Sequence, residues 1–177
     1  EQLAVGALDI ALVTASEGQP PAGVSLTRMP LLTEELVVVS SAAEPPVTTA
    51  PSLDLPGLAS LPLIAFDESY ELRATTDAAF RSAGLAPVPL LAGAEMDAVL
   101  RFVERGLGVA VVPAMVLLDR PALRSVRLSH PMMTRTVSLA HRSDVTPAIA
   151  VAAMRHVIVS TAAEVARRDP AITSLID

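Results

Sequence analysis

Two hydrophobic rhythms run through the 177-residue chain. LDIALV (8–13), ELVVVSS (35–41), LPLIAF (61–66) and VAVV (109–112) are almost continuously apolar, which predicts strands covered on both faces. Other segments follow a helical period. Met96, Val99, Leu100 and Val103 fall at i, i+3, i+4 and i+7 and make one apolar stripe, and a second helix runs through Leu72, Ala79 and Phe80. Glycine stands where each helix ends: Gly106 after Arg105, Gly84 after FRSA, and Gly6 after the helix-like EQLAV. A short apolar run follows each, so the recurring unit is helix, glycine corner, strand. RTVSLAHR (135–142) alternates like a half-exposed strand, and 147–168 reads as a long helix with Pro147 near its first turn and Arg167 and Arg168 in its last. The predicted class is α/β, with mostly parallel sheets flanked by helices.

The pair Gly106 and Gly108 in RFVERGLGVAVVP decides between two chemistries. A phosphate loop runs strand, glycines, helix, because the anion sits on the N–H groups of a helix that is beginning. Here the helix comes first and no GK[ST] follows, so the glycines turn a corner: Gly106 takes positive φ past the helix end, and Gly108 lets the returning chain pass close to the helix.

Proline-rich connectors separate these elements. EPPVTTAPSLDLPGL (44–58) reads as a long surface loop, SHPMMTR (129–135) as a passage between two lobes, and DPAITSLID (169–177) as a frayed tail. EQLAV has the character of the last turn of a helix whose beginning lies outside the sequence, and the domain is therefore expected to be incomplete at its N-terminus.

Composition then removes whole classes of function. The chain is 51% hydrophobic, enough for a real core, and its longest apolar run, VAVVPAMVLL, is too short for a membrane span and is broken by proline. A soluble chain without membrane contact is expected. There is no cysteine, so disulfides and thiol chemistry are excluded, in keeping with a reducing compartment. All 13 basic residues are arginine, which excludes Schiff-base and Walker lysines. A net charge of −6 with three Phe, one Tyr and no Trp offers no nucleic-acid surface.

In an open α/β sheet, ligands gather at the carboxyl ends of strands. Those ends carry Thr14, Ala15 and Ser16; Asp67, Glu68, Ser69 and Tyr70; Ala94, Glu95 and Met96; and Pro113 with Ala114. Hydroxyls and free N–H groups there suit a small polar ligand. Each has a structural alternative: Asp67 or Ser69 as a helix N-cap, Tyr70 as packing, Glu95 as a first-turn carboxylate, Thr14 and Ser16 as loop residues. Catalysis has little support. His130, His141 and His156 are scattered, with no metal-ligand spacing and no nucleophile elbow, so no catalytic residue, metal or cofactor is expected. The adjacent pairs Glu34–Glu35 and Asp67–Glu68 diverge along the backbone instead of facing one substrate.

The segments GALDIALV, TRMPLLTEELVVVSS, LPLIAFDESYELRATTDAAFRSAGLAP and AEMDAVLRFVERGLGVAVVPAMV together resemble the effector-binding domain of LysR-type transcriptional regulators. The resemblance implies a two-lobed fold like that of periplasmic binding proteins, with lobe I at 1–62 and 130–168, lobe II at 63–129 and a tail at 169–177. It implies a small effector in an interlobe cleft, touched by Thr14 and its neighbours, Ser69, Tyr70, Glu95 and Met96. It also implies a signal passed by lobe reorientation, a homodimer or tetramer, a bacterial cytoplasmic location, and DNA contact only through an N-terminal helix-turn-helix outside this chain. The family's effector domain opens with a strand, a helix and a strand that are missing here, so an exposed apolar sheet edge is expected. The acidic cluster Asp67, Glu68 and Glu95 suits a neutral or amine-bearing ligand better than an anion. Two alternatives stand beside this reading: a solute-binding receptor of a transport system, and an enzyme on the same scaffold.

Overall fold

A computed structural model describes residues 2–14 and 26–176. By compactness the chain divides into unit 1, residues 1–34 with 134–177, and unit 2, residues 35–133. The chain passes from one to the other at Glu34–Glu35, within the long strand β2 (Leu26–Ser41), whose second half pairs with unit 2 strands, and again at Met133–Thr134.

In unit 1, β1 (Ile10–Thr14) pairs antiparallel with β8 (Thr134–Arg142), from Ile10 opposite His141 to Thr14 opposite Val137. The burial of β8 does not alternate as its sequence pattern predicts: Ser138, Leu139 and Ala140 are buried in succession, with partly exposed residues on either side. Helix α4 (Ile149–Ala166) follows, close to the bounds predicted. The expected tail is instead the strand β9 (Ile172–Ser174), which pairs antiparallel with Leu32–Glu34 of β2 and buries Ile172. Three residues are too few for a periodic signal, and only the partner strand makes them a strand.

In unit 2, β4 (Ile64–Phe66) and β5 (Leu91–Gly93) are parallel neighbours, and Leu63 bridges in parallel to Val109 just before β6 (Ala110–Pro113). Two of the four continuously apolar runs, LPLIAF and VAVV, make this parallel core, whereas LDIALV and ELVVVSS supply the antiparallel strands β1 and β2, and β1 is only partly covered. The second half of β2 then runs antiparallel to β6 and to β7 (Leu123–Leu128), and β7 is parallel to the short β3 (Ser52–Leu53). Val38, Val39, Ala110 and Val112 at the centre are almost fully buried. Helix α2 (Glu71–Ser82) inserts Leu72 and Phe80 into this core, and α3 (Met96–Glu104) inserts Val99, Leu100 and Val103. The stretch read as one long loop also holds structure: β3 and helix α1 (Leu55–Ala59), started by the Asp54 carboxylate accepting from Gly57 N at 2.8 Å and anchored by buried Leu55 and Leu58. Its proline and glycine mask a helix only five residues long.

The three glycine corners share one hydrogen-bond pattern. Gly6, Gly84 and Gly106 have φ of 73°, 71° and 73°. Each N–H donates to the carbonyl three residues back, and the next residue donates to the carbonyl five back: Ala7 to Gln2 at 3.0 Å, Leu85 to Phe80 at 2.9 Å, Leu107 to Phe102 at 3.1 Å. That pair of bonds closes an α-helix, although residues 2–6 form only turns. Gly108 is needed for a different reason from the one its sequence suggests. A Cβ there would lie 2.2 Å from the Pro62 carbonyl oxygen, so the close approach is to the chain entering β4, not to the preceding helix.

Candidate functional site

The strand ends of unit 2 are level with one another. Phe66 stands opposite Gly93, and the Asp67 N–H donates to the Gly93 carbonyl at 3.0 Å, tying together the loops that follow β4 and β5. The parallel bridge from Leu63 to Val109 brings the end of β6, Pro113, to the same level. Asp67, Ser69, Tyr70, Glu95, Met96 and Pro113 therefore share one edge of unit 2. Thr14 closes β1 in unit 1, and Ala15 and Ser16 lie outside the described residues.

Neither Asp67 nor Ser69 caps α2. Tyr70 occupies the N-cap position with no side-chain cap bond. Asp67 Oδ1 instead accepts from Ser69 N at 3.0 Å and from Ser69 Oγ at 2.8 Å, closing a side-chain turn ahead of the helix. The bonds from Ser69 hold the Asp67 carboxyl below the usual aspartate range, with the Arg73 guanidinium adding a smaller pull. The Tyr70 ring stacks on Phe66 with centroids 4.7 Å apart and planes 17° apart, which leaves it half-buried with one face on the core. Glu95 sits at the N-cap of α3, exposed and without a cap bond, and Met96 is half-buried at the head of the apolar stripe. Pro113 is buried beneath the edge, opposite Leu36.

This edge thus presents the first N–H groups of two helices without side-chain caps, ringed by exposed Asp67, Glu68 and Glu95. The dipoles attract negative charge and the carboxylates repel it, so the balance favours a polar ligand with both donors and acceptors over a compact anion. Arg73 is a residue that sequence reading missed. Its Nη1 donates to the Phe66 carbonyl at 3.1 Å and its Nε pairs with Asp77 at 2.7 Å, fixing a cation beneath the end of β4. The i, i+4 spacing of Arg73 and Asp77 was the available signal. The cavity behind it, walled by Phe66, Leu72 and Phe80, is about 30 Å³, room for one or two waters and no more.

The histidines stay apart: His141 Nδ1 is 2.9 Å from the Arg142 carbonyl, and His156 is exposed on α4. No group of three potential metal ligands occurs among the described residues. The adjacent glutamates diverge as their pleat requires. Glu34, fully buried, pairs with Arg135 at 2.8 Å in unit 1, and Glu35 is held through both carboxylate oxygens by Arg127 in unit 2. Unit 1 holds a concavity of about 540 Å³ walled by Leu8, Ile10, Val145 and Val151. It is bordered by β1, its partner β8 and the start of α4; among the described residues β1 has no partner strand other than β8, and its Leu12 is 58% exposed. By length and composition α4 is long and apolar enough to cross a membrane, and only 6% of it is buried. Arg155, His156 and Glu164 lie within it, and β9 ties its far end back to β2.

Residues 1–163 match the family described as the LysR substrate binding domain. The chain is 29% identical over 140 residues to an uncharacterized HTH-type transcriptional regulator, YybE, of Bacillus subtilis, covering 79% of this chain and 46% of that protein. It spans less than half the length of the curated relatives it matches. Among solved structures, the effector-binding domain of QuiR in complex with shikimate superposes with a TM-score of 0.71 at 22% identity, covering 92% of this chain and 76% of that one. The regulatory domain of Synechocystis CcmR in complex with 2-PG gives 0.73 at 15% identity, with coverages of 91% and 76%. At these identities the structural likeness shows the fold, which is the two-lobed α/β fold of periplasmic binding proteins. The family match fixes the rest: this chain belongs to the LysR substrate-binding domain family.

Proposed function

We propose that this chain is the effector-sensing part of a bacterial LysR-type transcriptional regulator, binding a small molecule without transforming it. The observation that carries the reading is the family match over residues 1–163, and the levelled strand ends of unit 2 give it a chemical place to act. Ser69 and Glu95 supply polar contacts, Tyr70 and Met96 a partly apolar wall, and Thr14 a hydroxyl from unit 1. Ala15, Ser16, Asp67 and Pro113 complete the proposed set. An uncharged or amine-bearing effector suits the exposed carboxylates. In this reading the regulator works in the cytoplasm as a homodimer or tetramer and reaches DNA through a helix-turn-helix domain outside these residues. Effector binding biases the equilibrium between lobe orientations.

The test is a calorimetric screen of polar metabolites against the 177-residue chain and its Ser69→Ala and Glu95→Gln variants. The reading predicts saturable binding of at least one compound, weakened about tenfold by loss of a ligand hydrogen bond to Glu95, and no chemical change in the recovered compound. Turnover of the compound, lost on substituting Asp67 or Glu95, would establish an enzyme instead.

A further inference from the structure

The pole of unit 2 away from these strand ends holds a second concavity with its own chemistry. Antiparallel pairing of β2 with β6 runs from Leu36 opposite Pro113 to Val39 opposite Ala110, so Ser40 lies beyond the start of β6, at the opposite end of the parallel strands. There the loop after β2 folds beside β7 and borders an open concavity of about 280 Å³. The walls combine the apolar Pro46, Val47 and Val126 with the hydroxyls of Ser40 and Thr48 and the guanidinium of Arg124. Ser40 and Arg124 are directly opposed across the two strands, which sets them side by side on one face.

Two features make this more than a surface dent. Ser40 is 5% exposed, and its hydroxyl has no hydrogen-bond partner among the described residues. Among the described residues no sealed side-chain oxygen or nitrogen goes unpaired, so this hydroxyl opens into the space it lines. Arg124 spends one donor on the Ala42 carbonyl at 2.6 Å and has no carboxylate partner among the described residues. The other arginine on the wall, Arg127, is engaged by Glu35. No Asp or Glu lines the cavity, in a chain whose net charge is −6. An un-neutralised guanidinium beside an unpaired, nearly buried hydroxyl is a donor pair for an oxyanion, and the apolar walls ask for a short hydrocarbon body behind it.

We propose that this cavity binds a small organic carboxylate, its oxygens on Arg124 and Ser40 and its chain against Pro46, Val47 and Val126. The site is separate from the strand-end edge and acts as a second input to the same domain. Sodium butyrate titrated into the 15N-labelled 177-residue chain at constant ionic strength, with sodium chloride and sodium phosphate as comparison probes, tests it by amide shifts. Butyrate is expected to move the Ser40, Thr48 and Arg124 amides saturably, leaving those of Ser69 and Glu95 in place. Arg124→Gln should weaken that response about tenfold or more and Ser40→Ala several-fold, as loss of a charged and a neutral hydrogen bond dictates. Ser40→Val, which fills the polar corner while sparing the Arg124–Ala42 contact, should abolish it and decides the matter if Arg124→Gln fails to fold. Equal shifts with chloride, no saturation, or full binding by a folded Ser40→Val variant would overturn the proposal. Phosphate acting where butyrate does not would overturn the carboxylate assignment.

Discussion

Single residues carry the sharpest consequences of this structure. Asp67 is held ionised by the two bonds from Ser69, so its folded-state pKa lies below its unfolded one. A depressed carboxyl stabilises the fold above the unfolded pKa, and that contribution is lost as pH falls through the lower, folded value. A carbon-detected NMR titration should place the Asp67 midpoint below the ordinary aspartate value of about 3.9, and Ser69→Ala should raise it. An unchanged midpoint in that variant would remove Ser69 as the cause. Gly108 makes a steric prediction. Gly108→Ala drives a Cβ into the Pro62 carbonyl and should cost roughly 3 kcal/mol or more in denaturant unfolding, because backbone cannot step aside as a side chain does. Gly84→Ala meets nothing within 4 Å and should cost only its positive φ, about 1–2 kcal/mol. The need for Gly106 at a helix end was legible in the order of residues around it. The partner of Gly108 was not, since Pro62 is distant in sequence.

At the scale of elements, what could be read depended on length. Helices α2 and α3 were visible from their apolar stripes, β2 and β6 as continuously apolar runs, β8 from its alternating residues, and α4 from its length between Pro147 and Arg167–Arg168. Helix α1 was hidden by Pro56 and Gly57, and β9 by its three residues. If α1 is a genuine element, Asp54→Ala should cost about 1 kcal/mol by loss of its cap and Leu58→Ala about 2–5 kcal/mol by opening the core. A loop would show neither loss in urea unfolding. The two ion pairs at the ends of the β2 crossing should differ as their burial does. Arg135→Met takes a cation from the fully buried Glu34 and should cost more than Arg127→Met, which breaks a pair whose arginine is 61% exposed and should cost under about 1 kcal/mol. The candidate site was legible at the same level: its loops follow from strand order, but its internal wiring does not. That Asp67 bonds Ser69 instead of capping α2, and that Arg73 reaches the Phe66 carbonyl, depend on distances no pattern encodes.

Across the whole molecule, the proposed function has a LysR substrate-binding domain recognise a small effector through its strand-end loops. A ligand present at a hundred times its dissociation constant stabilises the folded state by about 2.7 kcal/mol, which is measurable in a chain of this size. The most direct measurement is the melting temperature of the 177-residue chain against a panel of polar metabolites, repeated with the double variant Ser69→Ala, Glu95→Gln. The account predicts at least one compound that raises the melting temperature saturably in the parent chain, with the response lost in a double variant that melts normally without ligand. A response that survives intact in the double variant would contradict the assignment of the effector to this edge.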